Sequence, residues 1–566
     1  MSEKKINIAL LASFTSRGIA DVLHKQCQVV GIAPQIYVGG YNQYVQEILN
    51  AQSELYLSNP ELVILFVDTR ALLGEHFFLP YHISDDERRA LIEEKFNELT
   101  TLVERIKQNS LAKILLHNFE IPAHSPLGIL ENKQQFGLVE ALETLNFKLR
   151  EQYKNDPRVF VFDYERFCAG HGKKQALDYK MYYLGDVKIN PQLIPALCQE
   201  YLGYLKPLLS LNKKCLVLDC DNTLWGGVIG EDGLGGIRLG PTPEGRSFFE
   251  FQKYLLSLFQ RGVVLAINSK NNLDDVMQVL REHPHMVLKE EHFAATRINW
   301  EDKASNMRAL AKELNLGLDS FVFLDDERMN RELIRNLLPE VVVVDLPEDP
   351  AQYVRMIAEL NEFNTLALTD EDKDRGKMYA TERQRKELQT SLGDLNEYLK
   401  NLKTVVKLEK ANALTIPRIA QLTQKTNQFN MTTRRYAQEE IERLAKDPNF
   451  MVISLSSQDR FGDNGLVGVA IVEKGIPQWR IDSFLLSCRI IGRRIEETLL
   501  AHIVQEAKSA GAEILKGEFI SSKKNSPAKE FYKNNKFVLV KDGDQQDWEY
   551  DLAVDYPFSD LIQVIE

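Results

Sequence analysis

The feature that most narrows what this chain can fold into is a set of apolar runs in mid-sequence, each ending on polar residues. Cys215 to Leu218 leads into Asp219-Cys220-Asp221, Val263 to Ile267 into Asn268-Ser269-Lys270, and Phe321 to Leu324 into Asp325-Asp326. Lys303 falls between the last two runs. Short apolar runs bounded in this way read as strands buried on both faces, the kind found in parallel sheets. Open α/β sheets gather their chemistry at the carboxyl ends of such strands. Asp219 and Asp221, one position apart at a strand end, repel each other and invite a cation.

The order of acidic pair, hydroxyl, lysine and second acidic pair resembles the haloacid dehalogenase superfamily of phosphoryl-transfer enzymes, and all four of its motifs are present. The longer string from Leu218 to Gly233, with Trp225-Gly226-Gly227 inside it, is similar to the FkbH-like branch. The resemblance implies a Rossmann-like core in which Asp219 attacks phosphorus and forms an aspartyl phosphate, while Asp221 protonates the leaving group and later activates water. It implies that Ser269 and Lys303 hold the phosphoryl oxygens. Asp219, Asp221 through its backbone carbonyl, and Asp325 or Asp326 would bind Mg²⁺, a hard cation suited to oxygen ligands. Gly226, Gly227 and Gly230 allow a tight excursion after the strand, as in a small flap over the site.

The FkbH-like resemblance also implies acyl transfer. A glyceryl unit from 1,3-bisphosphoglycerate would move, with loss of phosphate, onto the phosphopantetheine thiol of an acyl carrier protein. An enzyme thiol would divide that transfer into two easier steps. Many members carry Cys immediately before the motif-two serine; this chain has Asn268 there and Cys220 between its two aspartates. Cys220 reads either as an acyl carrier or as a small buried hydrophobe.

At 566 residues the chain predicts roughly three to four domains. Its net charge of -12 argues against a general nucleic-acid binder, whose affinity rests on phosphate neutralisation. Six scattered cysteines form neither a disulfide framework nor a paired zinc spacing, which points to a reducing cytoplasm. The start of the chain reads as a first strand instead of a signal peptide, and no apolar segment is long enough to span a bilayer.

Residues 1–205 alternate apolar strands with amphipathic helices, which predicts a doubly wound parallel sheet. Strands are expected from Ile6, Ile36, Leu62, Ile114 and Val159, with a long helix over Glu87 to Gln108. Ser13, Gly39-Gly40 and Asn118, each after a strand, resemble the serine, glycine and asparagine blocks of SGNH hydrolases. Ala12 replaces the usual aspartate before the serine and no late Asp-x-x-His pair follows, so the expectation is a degenerate domain for docking or ligand binding. The catalytic domain is expected over 206–350 and a charged helical linker over 351–402, with the run Thr369 to Arg375 near its middle.

Residues 403–566 read as an α+β domain. Arg489-Ile490-Ile491-Gly492-Arg493-Arg494, followed by the helix from Ile495, resembles the pyrophosphate loop of GNAT acyltransferases, and Asn525 to Tyr532 fits their ending. The resemblance implies that Arg489, Gly492, Arg493, Arg494 and Asn525 bind pantetheine or coenzyme A. Arg494 stands where a small residue is usual. Lys425 to Tyr436 also looks like an FkbH-like segment, whose dense amides and hydroxyls suit hydrogen bonding to a pantetheine arm. Three functions stay open: an Mg²⁺-dependent enzyme that loads a carrier protein, a small-molecule phosphatase with a ligand-binding C-terminal module, and a scaffold that docks partners.

Overall fold

A computed structural model of the chain describes residues 3–565 apart from 369–375, 377, 380, 383, 384, 386, 387, 390, 391, 488, 489 and 523. The charged run Thr369 to Arg375 and the loop residue Arg489 therefore lie outside the described residues. The chain divides into two compact units, Met1–Leu209 and Ser210–Glu566. The boundaries expected at 350 and 402 fall inside the second.

The first unit is built on strands β1 (Lys4–Ala12), β2 (Ile32–Val38), β3 (Leu62–Phe66), β4 (Lys113–His117) and β5 (Val159–Phe162), ordered β2-β1-β3-β4-β5. All pairs are parallel. Central β3 is buried at every position, as a strand covered on both faces must be. The helices Asp85–Asn109 and Leu138–Tyr153 pack on Ala9, Leu11, Val63 and Leu65. The first of them starts two residues ahead of the apolar periodicity because Ser84 caps it. Ser84 Oγ accepts from the Glu87 amide, and Glu87 returns the bond to the Ser84 amide at 2.7 Å. Such a cap contributes about 1 kcal/mol.

In the second unit β6 (Cys215–Leu218), β7 (Val264–Ser269), β8 (Phe293–Ile298), β9 (Phe321–Asp325) and β10 (Val342–Asp345) form a parallel sheet ordered β10-β9-β6-β7-β8. Alternate residues serve opposite faces. Leu216 and Leu218 join one apolar cluster, Cys215 and Val217 the other. Pairing Leu218 with both Ile267 and Leu324 brings the ends of β6, β7 and β9 level, and with them the residues of the candidate site.

The rest of the unit is α+β. Its strands are β11 (Thr404–Lys410), β12 (Phe429–Asn430), β13 (Phe450–Asp459), β14 (Gly462–Glu473), β15 (Gln478–Leu486), β16 (Ile514–Ile520), β17 (Val538–Lys541), β18 (Gln545–Asp551) and β19 (Ile562–Ile565). They form one mixed sheet, ordered β17-β18-β16-β15-β14-β13-β11-β19, with β12 paired to β15. Parallel β15 and β16 pair only over Gln478–Arg480 and Ile514–Lys516. Beyond that the chain's own residues 429–431 bridge them: Phe429 and Asn430 pair with β15, the Met431 amide donates to Phe484 O at 3.0 Å, and the Ile520 amide to Met431 O at 2.8 Å. Within the segment Lys425 to Tyr436, residues 429–431 are thus a structural wedge, while Lys425 to Gln428 line a cavity of about 260 Å³.

Candidate active site

Lys303 organises the site. It opens the helix Lys303–Glu313, whose first turn is capped by Asp302 Oδ1 accepting from the Ser305 amide at 2.8 Å. A cation at a helix start opposes the helix dipole, and here carboxylates offset it. Its ammonium lies 2.8 Å from Asp219 Oδ2 and also bonds Asp325 Oδ2. Asn268 Nδ2 donates to the Lys303 carbonyl at 2.9 Å, so the residue that stands where relatives carry cysteine holds the lysine's backbone.

Asp219, Asp325 and Asp326 present oxygens within 4.8 Å of one another. Burial and the neighbouring Asp219 lift the Asp325 carboxyl above the usual range, and burial with Asp219 and Asp325 pushes that of Asp326 up to about 6. Three carboxylates beside one ammonium leave a surplus of negative charge on hard oxygens, a donor set that fits a divalent cation such as Mg²⁺. The Asp221 carboxylate is not among the three. Its Oδ1 accepts from Trp225 Nε1 at 2.9 Å and the Ile229 amide at 3.2 Å, and its Oδ2 from Asn271 Nδ2 at 2.9 Å. Burial lifts its carboxyl above the ordinary aspartate range. A metal role for Asp221 is left to its backbone carbonyl, since its carboxyl oxygens accept from Trp225, Ile229 and Asn271.

Ser269 ends β7, buried, with its hydroxyl in hydrogen-bonding contact with the Cys220 thiol. Cys220 is fully buried, and burial with the Asp219 charge drives its thiol well above the usual range. Of the two readings of Cys220, its burial favours packing, since the thiolate is the nucleophilic form.

Residues that sequence reasoning missed surround this centre. Asn330 Nδ2 and the Glu327 amide hold Asp325 Oδ1, and Arg331 donates to the carbonyls of Asp325 at 2.7 Å and Asp326 at 2.6 Å. Gly226 lies so close to Phe248 that a Cβ would stand 2.7 Å from its ring, and Gly227 turns with φ 97°. A cleft of about 790 Å³ opens beside Asp326, lined by Asn222, Arg238, Arg328 and Tyr353 among others.

The C-terminal candidates are placed otherwise than expected. Arg493 is 4% exposed and paired with Asp459 at 3.2 Å and with Glu382. Asn525 is fully buried; its Nδ2 donates to the carbonyls of Asn430 and Ile520, each at 2.9 Å, and its Oδ1 accepts from the Ser522 amide. Both are engaged inside the protein, Arg493 in ion pairs and Asn525 in backbone hydrogen bonds. Gly492, with φ 85°, is exposed, and Arg494 takes the left-handed cap of the helix Ile495–Ser509 with φ 57°.

Residues 7–206 match the family model of the FkbH N-terminal domain. The chain thus resembles the FkbH family over the first of its two units. The N-terminal part of the protein BF1531 from Bacteroides fragilis, described as containing a phosphatase domain complexed with Mg, is 29% identical to it. That likeness covers 65% of this chain and 96% of the BF1531 structure, with a TM-score of 0.60. The ribosomal-protein-S18-alanine N-acetyltransferase from Escherichia coli is 12% identical over 26% of the chain and 94% of its own, with a TM-score of 0.22. A GNAT-family acetyltransferase from Desulfovibrio desulfuricans is 14% identical over 26% of the chain and 99% of its own, with a TM-score of 0.20. These last two likenesses are faint, and the α+β character of the C-terminal region rests on its own strand order. No curated protein matches this chain. Among the described residues no helix is long and apolar enough to cross a membrane.

Proposed function

We propose that this chain is an Mg²⁺-dependent phosphoryl-transfer enzyme of the cytoplasm that takes a phosphorylated three-carbon acyl donor and loads the glyceryl unit onto the phosphopantetheine thiol of an acyl carrier protein. The observation that carries the reading is the cluster of Asp219, Asp325 and Asp326 around the Lys303 ammonium, level with the ends of three parallel strands. The Mg-bound phosphatase domain of BF1531 supports the choice of metal.

Asp219 Oδ2, next to Lys303, is the nucleophile that attacks the phosphorus of the donor's C3 phosphate ester, breaking its bond to the C3 oxygen and giving an aspartyl phosphate, while the carrier thiolate displaces the C1 phosphate from the acyl carbon to form the thioester. Asp221, held by Trp225 and Asn271, delivers a proton to the leaving oxygen and takes one from the water that hydrolyses the acyl-phosphate bond so formed. Lys303 and Ser269 orient the phosphoryl oxygens, and Arg238 and Arg328 at the cleft supply charge for the distal anionic groups of the substrate. Mg²⁺, held by Asp219, Asp325 and Asp326, supplies charge stabilisation when bound. A plain phosphatase is the second reading, favoured by one observation: Arg493 and Asn525 are already engaged within the protein.

The test is to incubate the full chain with Mg²⁺, an enzymatically generated glyceryl acyl phosphate and a pantetheinylated carrier. Phosphate release is then assayed alongside the intact mass of the carrier. A glyceryl adduct on the carrier is the expected result; phosphate without an adduct selects the phosphatase, and neither selects a scaffold. Asp219→Asn abolishes release of the C3 phosphate, and full release of it in that variant sinks the nucleophile assignment.

A further inference from the structure

The first unit carries a cleft that this chemistry does not use. It is lined by residues that follow the carboxyl ends of β3, β4 and β5. Open α/β sheets bind ligands in crevices outside the carboxyl ends of their strands. The cleft measures about 520 Å³ and is lined by Arg70, Glu120 and Lys173 together with aromatic side chains that include Phe77, Tyr179 and Tyr183. Tyr183 is 76% exposed and Tyr179 60%, an unusual display of large rings next to buried charge.

The charges here are unevenly matched. Lys188 sits 2.7 Å from Asp186, and Lys173 pairs with Glu165 and donates to Ile121 O at 3.0 Å. Arg70 differs. Its side chain is only 12% exposed, yet its carboxylate neighbours Asp68 and Glu120 stand at 3.7 and 4.0 Å, and among the described residues its guanidinium makes no hydrogen bond. The group is nonetheless held in place, over the rings of Phe77 at 4.7 Å and Tyr182 at 5.7 Å. Asp68 has other work: its Oδ1 caps the helix Thr69–Leu73 by accepting from the Arg70 and Ala71 amides. Burial pushes the Glu120 carboxyl up to about 7, which weakens its claim on the arginine. A fixed, largely desolvated fork of N–H donors whose carboxylate neighbours stand beyond hydrogen-bonding distance is a recogniser of planar or tetrahedral oxyanions.

The SGNH-like blocks do not compete for this role. Ser13 Oγ accepts from the Asp68 amide at 2.9 Å, the Gly39 amide donates to Leu10 O, the Gly40 amide to Glu47 Oε1, and Asn118 Nδ2 to Asp163 Oδ1. The donors an oxyanion hole would use are engaged.

We propose that the N-terminal unit holds a second ligand site, in which the Arg70 guanidinium grips the oxyanion of a small organic carboxylate or phosphonate-like group while the surrounding rings take an apolar or planar body. Two probes separate the anion chemistries: 4-fluorophenylacetate and 4-fluorophenylphosphonate, titrated against the full chain by fluorine NMR with EDTA present so that the acidic site of the second unit holds no metal. At least one probe binds the wild-type chain at millimolar concentration or tighter. The tighter of the two tells whether the natural ligand bears a carboxylate or a phosphate-like group. Arg70→Lys, which keeps the charge but loses the fork, weakens that probe about tenfold or more, and Tyr183→Ala, at an exposed position that leaves the fold intact, weakens it several-fold. Asp219→Asn leaves it unchanged, which separates this site from the phosphoryl-transfer centre. Absence of binding by both probes, or equal binding to wild type and Arg70→Lys, overturns the proposal.

Discussion

Trp225 Nε1 donates to Asp221 Oδ1 at 2.9 Å while the indole itself is fully buried. The tryptophan of the Trp225-Gly226-Gly227 extension is therefore a positioning residue for the acid–base carboxylate. Trp225→Phe keeps the packing and removes the bond, with an expected loss in kcat of up to about tenfold, the worth of one hydrogen bond. The bond favours the ionised form of Asp221, so its loss raises that carboxyl further. The alkaline limb of the pH profile for phosphate release then moves to higher pH, a change that a purely structural role would not produce.

Lys303 compensates two buried carboxylates. Lys303→Met leaves Asp219 and Asp325 facing each other without a cation, at a cost of about 3–5 kcal/mol to the second unit. Urea unfolding of the full chain measures it. Mg²⁺ at saturating concentration restores part of the loss in this variant because it supplies charge at the same carboxylates.

Cys220→Ala retains carrier loading within about twofold of wild type, since a buried thiol shifted well above neutrality presents no nucleophile. The variant loses on the order of 1 kcal/mol of stability through the small cavity it leaves. Loss of loading with phosphate release intact would return Cys220 to the mechanism.

Glu496 lies in the first turn of the helix Ile495–Ser509 with a buried Oε2 that has no hydrogen-bond partner among the described residues, and burial pushes its carboxyl up to about 7. The folded state holds its proton more tightly than the unfolded chain does. Stability is therefore greatest below the unfolded pKa near 4.5 and falls as pH rises through about 7, by roughly 3 kcal/mol from this group. Glu496→Gln removes that component of the pH dependence in thermal unfolding scans taken between these limits.

The sequence by itself determined the parallel sheet and the placing of Asp219, Ser269 and Asp325 at its strand ends, because apolar runs and the residues that close them are local patterns. The central motifs could be read in order for the same reason. Tertiary structure alone decided which polar residues remain available. Asn271 reaches Asp221 across 50 positions, and Asn525 reaches Asn430 across 95. Arg493, which looked like part of an anion-binding loop, finds Asp459 and Glu382 instead. Arg70, in no motif at all, is left with its donors open to a cleft. A side chain's chemistry is written in its identity, but its availability depends on partners that only folding brings within hydrogen-bonding distance.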